Sequence, residues 1–205
     1  MIIDPQNIST LLAQTSDQDL ITCPPLPGIH DNVNQPAAVL IPILFDRDEW
    51  KILFIKRTQH EYDRHSGQIA FPGGRFDPED LSLQHTALRE SAEEIGLDPS
   101  LVDILGQSCS MVTVTGYEVT PYVGIISWPQ SLTLSQEEVE RILLIPVSWL
   151  ADSNHHRTEL WRPGSNPDTE LPVIFFDEFE GDVLWGATAQ ILLDFLDLTK
   201  LSLMY

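Results

Sequence analysis

Short apolar runs separated by polar turns make up most of this chain. Residues 37–45 and 51–56 are β-type runs flanking Asp46-Arg47-Asp48-Glu49, a polar tract that predicts a hairpin connection. Further β-type runs at 101–106, 109–115, 117–127, 142–147 and 171–176 are mostly joined without an intervening helix. Helical spacing marks other stretches. Residues 8–20 carry Ile8, Leu11, Leu12 and Leu20 among polar positions, and Cys23-Pro24-Pro25-Leu26-Pro27-Gly28 ends that helix because its prolines remove amide donors. Residues 82–95 form a helical stretch stopped by Gly96, and Ser135-Gln136-Glu137-Glu138 reads as the start of a short acidic helix over 135–141. Residues 183–198 place Leu184, Ala187, Ile191, Phe195 and Leu198 at helical spacing. Strands that outnumber helices and connect directly predict an α+β fold. The proline-rich stretch sets a boundary near Gln35, giving an N-terminal helical extension and linker over 1–35 and one globular domain over 36–205.

Charge then narrows the partners. With 11 Lys+Arg against 31 Asp+Glu among 205 residues, the formal net charge is −20, which excludes a groove-binding partner of nucleic acid, since such a protein needs a basic face. The longest apolar stretch, 37–45, contains Pro42 and falls far short of the roughly 20 residues that span a bilayer, so no membrane helix is expected. The N-terminus lacks the basic start and apolar run of a secretory signal, and the C-terminus is not a peroxisomal address. Cys23 and Cys109 stand far apart in unlike contexts, as neither a disulfide framework nor a zinc site, so two reduced thiols in the cytoplasm are expected.

The chemistry concentrates in Arg89-Glu90-Ser91-Ala92-Glu93-Glu94-Ile95-Gly96-Leu97. On a helix advancing ~100° per residue, Glu90, Glu93 and Glu94 fall at about 0°, 300° and 40°, while Leu88, Ala92 and Ile95 fall on the opposite side. Like charges at these spacings cost helix stability, and a divalent cation shared by the carboxylates would offset that cost. An acidic protein exposes acidic faces anyway, so three glutamates in five residues do not by themselves make a site. The flanks tip the balance. Phe71-Pro72-Gly73-Gly74 precedes the helix with paired glycines that let backbone approach a ligand or metal, and Arg89 can fix one glutamate by a bidentate pair. His60, His65 and His85 lack metal-ligand spacing, and Ser66 and Ser91 have no His-Asp arrangement that would make them nucleophiles.

This segment resembles the Nudix box, G-x5-E-x7-R-E-U-x-E-E-x-G-U with U aliphatic. Gly74, Arg89, Glu90, Glu93, Glu94, Gly96 and Leu97 match, while Asp80 replaces the first glutamate and sits nine residues before Arg89 instead of eight, a one-residue extension, and Ser91 replaces an aliphatic residue. Phe54-Ile55-Lys56-Arg57-Thr58 followed by Arg64-His65-Ser66-Gly67-Gln68-Ile69-Ala70-Phe71-Pro72-Gly73-Gly74 is similar to the signature of coenzyme A pyrophosphatases, whose box often has the same extension and Asp. The interval from Arg57 to Gly67 is one residue longer than in that signature, so Asp63 and Arg64 compete for its arginine position. Residues 172–176 and 183–189 also resemble the end of coenzyme A-type members.

The resemblance implies an α/β/α sandwich with a mixed sheet over roughly 36–205. It also implies Mg²⁺- or Mn²⁺-dependent hydrolysis of a nucleoside diphosphate linkage, cleaving coenzyme A to 4′-phosphopantetheine and adenosine 3′,5′-bisphosphate. Glu90 and Glu94 are then the first metal ligands, Glu93 a third ligand or the base, and the carbonyl of Gly73 or Gly74 a further ligand. Arg89 orients a glutamate, and Arg57, Arg64 and the Gly73-Gly74 backbone contact substrate, with Lys56 as a further phosphate anchor. Glu118, Glu137 and Glu138 remain candidates for the base. The partner is a small nucleotide, with the oligomeric state open. The rival readings are a pyrophosphatase acting on ADP-ribose and a non-hydrolytic nucleotide-binding module of the same fold. Five of the 11 cations, Lys56, Arg57, Arg64, Arg75 and Arg89, lie between 56 and 89 and predict a locally positive site in an acidic protein.

Overall fold

A computed structural model describes residues 3–16, 35–59, 66–162 and 170–201. Arg64, His60, His65, Cys23 and the proline-rich linker lie outside the described residues. The hairpin forms from β1 (Gln35–Asp46) and β2 (Glu49–Arg57), which pair antiparallel up to Asp46 and Glu49. Its two turn residues, Arg47 and Asp48, both take left-handed backbone (φ 51° and 63°), the geometry that matches a two-residue turn to strand twist. Successive side chains of these strands face opposite sides of the sheet. Ala38, Leu40, Leu44, Leu53 and Ile55 join one apolar cluster, and Ile41, Ile43, Ile52 and Phe54 another. Such runs, buried on both faces, read as nearly continuous apolar sequence.

Pro42 sits inside β1, although proline cannot donate to a ladder. It falls where β1 changes partner on one side: Ala37–Val39 pair with β4 (Gly73–Arg75), and Ile43–Asp46 pair with β2. On its other side β1 runs parallel to β7 (Tyr117–Ile126). Added to these are β3 (Ile69–Ala70), β5 (Val102–Gln107), β6 (Met111–Val112) and β8 (Val139–Pro146), completing an eight-stranded mixed sheet. A second, three-stranded sheet joins β9 (His156–Trp161), β10 (Leu171–Phe179) and β11 (Asp182–Trp185).

Helices cover both faces. α2 (Leu83–Ile95) lies over the Leu40, Leu53 and Ile55 side through Ala87 and Ile95. The opposite side receives α1 (Pro5–Ser16), α3 (Val147–Leu150), α4 (Gly186–Leu198) and the second sheet, with Ile8, Leu12, Leu192, Phe195 and Phe176 in one cluster with Ile43 and Phe54. This is the α/β/α sandwich with a mixed sheet. No helix among the described residues is long and apolar enough to cross a membrane.

Several elements differ from the sequence expectation. α1 begins at Pro5, whose first turn Asp4 caps by accepting from the Gln6 amide at 3.0 Å. The acidic helix over 135–141 does not form. Glu138 and Val139 both donate to the Ser135 carbonyl, at 3.0 and 2.8 Å, closing a single turn before β8 begins. Burial of Val139 on the α2 side of the sheet, and of Leu143 and Ile145 on the other, thus overrides the capping signal. Of the run 109–115 only Met111–Val112 is strand, and the final helix starts at Gly186 because Asp182–Trp185 pair with β10.

Candidate active site

α2 owes its start to Ser82, whose hydroxyl accepts from the His85 amide at 3.1 Å, and its end to Gly96 in left-handed conformation (φ 68°). Between these ends the helix presents two neighbouring polar stripes. Glu90 and Glu94 form one, facing β4, and His85, Arg89 and Glu93 form the other.

Glu94 is the deeper carboxylate, 2% exposed. One oxygen accepts from the Gly73 amide at 2.9 Å, and the other lies 3.7 Å from the guanidinium of Arg57 at the end of β2. Burial pushes its carboxyl up to about 8; the Gly73 amide and Arg57 oppose the shift, while the charges of Glu90 and Glu138 add to it. Glu90 is also raised, chiefly by burial, against the pull of Arg89. The glycines before the helix have a sharper role than approach to a ligand. A Cβ on Gly73 would stand 2.4 Å from the Ala38 carbonyl oxygen of β1, and one on Gly74 would stand 2.4 Å from the Glu90 carboxylate carbon. Gly73 (φ 149°) therefore lets β4 press onto β1, and Gly74 leaves room for the glutamate.

Arg89 does not make its bidentate pair with a glutamate, as its position in the box had suggested. Nε and Nη2 donate to the two oxygens of Asp80, at 2.9 and 3.0 Å, and Asp80 also accepts from Thr86 Oγ1 and the Asp77 amide. His85 Nδ1 lies 2.9 Å from the same carboxylate. These partners hold the Asp80 carboxyl well below its usual range, Arg89 foremost. Arg89 then reaches Glu90 at 2.9 Å, Glu93 at 3.0 Å and the Arg75 carbonyl at 3.2 Å. The shorter Asp80 thus serves as the buried anchor from which Arg89 orients two glutamates. Thr86 carried no sequence signal for this part, since a threonine within a helix reads as neutral.

The expected convergence of three carboxylates holds for two. Glu93, with its side chain 56% exposed, turns to Arg89 on the outer stripe. Among the described residues no group of three carboxylate, imidazole or thiol side chains stands in ligating arrangement. Among the described residues, most of the predicted cation cluster is likewise taken up by partners. Lys56 pairs with Glu140 and Asp182, each at 3.2 Å, Arg57 meets Glu94, Arg89 is held by three acids, and Arg75 lies over the Tyr117 ring. Lys56 and Arg57, adjacent on a strand, point to opposite sides.

What remains is an oxygen-rich site. Two carboxylates one helical turn apart are both raised by burial and by neighbouring negative charge. Hard divalent cations take such donors, so the residues present fit Mg²⁺ or Mn²⁺.

A family model described as NUDIX domain matches residues 34–192. The chain is 37% identical over 171 residues to a protein described as "Uncharacterized Nudix hydrolase NudL" from Yersinia enterocolitica, spanning 82% of this chain and 83% of that one. It is 38% identical over 160 residues to a protein of the same description from Yersinia pestis, spanning 78% and 77%. A crystal structure of a MutT/nudix family protein from Enterococcus faecalis covers 92% of this chain and 68% of its own with a TM-score of 0.55 at 17% identity, a likeness of fold. The family match runs from just ahead of β1 into α4, enclosing the glycine strand and the glutamate helix, and the chain therefore belongs to the NUDIX domain family, hydrolases of nucleoside diphosphate derivatives.

Proposed function

We propose that this chain hydrolyses coenzyme A to 4′-phosphopantetheine and adenosine 3′,5′-bisphosphate, with Mg²⁺ or Mn²⁺ held at α2. The observation that carries the reading is the contact between Arg57 and Glu94. It joins the Lys56-Arg57-Thr58 strand end, part of the coenzyme A-type signature, to the most buried carboxylate of the box.

When bound, the cation neutralises the diphosphate, holds it in line and makes a nucleophile available near neutral pH. Glu90 and Glu94 would hold it through carboxylate oxygens, with the carbonyl of Gly73 or Gly74 as a further, neutral oxygen. Glu93 is the third ligand or the base that accepts the proton of the attacking water. Arg89 keeps Glu90 and Glu93 in place through its anchor on Asp80. Arg57 and Arg64 contact the phosphates, with the Gly73-Gly74 backbone alongside. The water oxygen joins one phosphorus, the bridging oxygen leaves on the other phosphate, and the proton passes through the base to solvent.

The test is a comparison of kcat/KM for coenzyme A, dephospho-coenzyme A and ADP-ribose with purified protein and Mg²⁺. Coenzyme A is expected to rank first, and Arg57→Ala to raise its KM by about tenfold or more, the worth of a charge-assisted phosphate contact. Preferred turnover of ADP-ribose would overturn the subfamily reading. Nucleotide binding without turnover of any of the three would favour the non-hydrolytic module.

A further inference from the structure

β9 is the outer strand of the three-stranded sheet, and among the described residues it pairs with β10 alone. Its six residues form a ladder with β10 that has no bulge or register shift, and five of the six are exposed. Edge strands are commonly blunted by bulges, prolines or lysines, and β9 contains none of these. A regular edge of this kind offers its outward amides and carbonyls to another strand.

Pro172 determines which groups those are. It stands opposite Leu160 and has no amide, so these two residues cannot exchange hydrogen bonds and Leu160 is a non-hydrogen-bonded position of the ladder. Alternation then turns the amides and carbonyls of Arg157, Glu159 and Trp161 toward β10, and those of His156, Thr158 and Leu160 toward the open edge. A second copy of the strand, placed antiparallel about a two-fold axis, must match positions of the same kind, so the axis passes through a residue. At Thr158 the axis lets His156 of each copy exchange outward hydrogen bonds with Leu160 of the other. The same axis sets Arg157 of each copy directly opposite Glu159 of the other. An axis at Arg157 or Glu159 would set like charges face to face, and one at His156 or Leu160 would leave little overlap. The strand is thus self-complementary in the register that its hydrogen bonding favours. It carries one Arg and one Glu, a net charge of zero, in a chain whose total of −20 otherwise repels its own copy. Leu160, 68% exposed, would meet His156 of the second copy.

We propose that β9 is a self-association edge, at which two copies of this chain join β9 to β9 antiparallel about Thr158 and continue their three-stranded sheets into one of six strands. A contact of this size belongs with weak, concentration-dependent interfaces.

The test is sedimentation velocity of the full chain, in which the weight-average coefficient is expected to rise with concentration between about 1 and 200 μM. Thr158→Pro removes an amide that points to the open edge and none that serves β10, so it is expected to abolish the rise with little change in Tm. Arg157→Glu and Glu159→Arg are each expected to weaken self-association about tenfold or more, because each sets like charges opposite one another. Mixed with each other, these two variants are expected to associate again, since opposite charges then meet at both contacts. Each of them also breaks the Arg157–Glu159 pair within its own chain, 2.7 Å in the parent, so recovery on mixing reports contact between copies. A parent that stays monomeric throughout the range would overturn the proposal. So would association that persists unchanged in the single charge variants or in folded Thr158→Pro, or a mixture of the two charge variants that stays monomeric.

Discussion

A carboxylate 2% exposed, facing one backbone amide and one guanidinium at 3.7 Å, is poorly compensated as an anion, and this governs how Glu94 responds to pH. Its folded value of about 8 stands above the 4.5 of an exposed glutamate, so between these values the folded chain holds a proton that the unfolded chain has released. Stability of the metal-free protein therefore falls as pH rises through that window. A divalent cation competes with the same proton and binds more tightly as pH rises. The rise in Tm caused by Mg²⁺ should thus be larger at about pH 8 than at about pH 6, and Glu94→Gln should flatten the metal-free profile and lose the Mg²⁺ effect. A Mg²⁺ effect independent of pH would contradict this account of Glu94. Sequence showed which residues to watch here, because Arg89, Glu90, Glu93 and Glu94 stand in one window. It could not show that Asp80, nine residues before Arg89, takes up its guanidinium, and the helix spacing permits the i,i+4 pair of Arg89 with Glu93 without selecting it over a turn of Glu93 toward Glu90 and Glu94.

Between elements, the decisive contact is β4 lying between β1 and α2. The two glycines of that strand look alike in sequence and differ in what they touch. A Cβ on Gly73 meets backbone of β1 that cannot yield, at a φ that disfavours side chains, so Gly73→Ala should lower stability by about 2 kcal/mol. The nearest atoms to a Cβ on Gly74 are the end of the Glu90 side chain, which can swing away. Gly74→Ala should therefore keep its Tm nearly unchanged while losing turnover, which thermal melts and activity assays on the two variants separate. Equal Tm losses would contradict the assignment. The glycine strand itself was not legible as a strand, because three residues, two of them glycine, carry no apolar alternation. β9 escaped for a related reason: His156–Trp161 has no buried face to leave a pattern. The hairpin β1–β2 was legible from two continuous apolar runs flanking a polar turn, and helix α2 from its polar and apolar positions at helical spacing between Ser82 and Gly96.

At the scale of the whole molecule, the charge of −20 bears on how a polyanionic substrate can bind at all. Clustering of cations along the chain suggested a local positive patch, and the pairs made by Lys56, Arg57 and Arg89 with acids remove most of it. Long-range repulsion, with Lys56, Arg57 and Arg89 already paired with acids, makes a divalent cation the chief positive charge expected to meet a diphosphate. Catalysis should accordingly depend on it entirely. The most direct measurement is product analysis after purified protein is incubated with coenzyme A, with and without Mg²⁺, beside Glu94→Gln. The account predicts equal amounts of 4′-phosphopantetheine and adenosine 3′,5′-bisphosphate from the parent with Mg²⁺, and neither product without the cation or from Glu94→Gln. Cleavage of coenzyme A that persists in chelator, or in Glu94→Gln at the parent's rate, would contradict it.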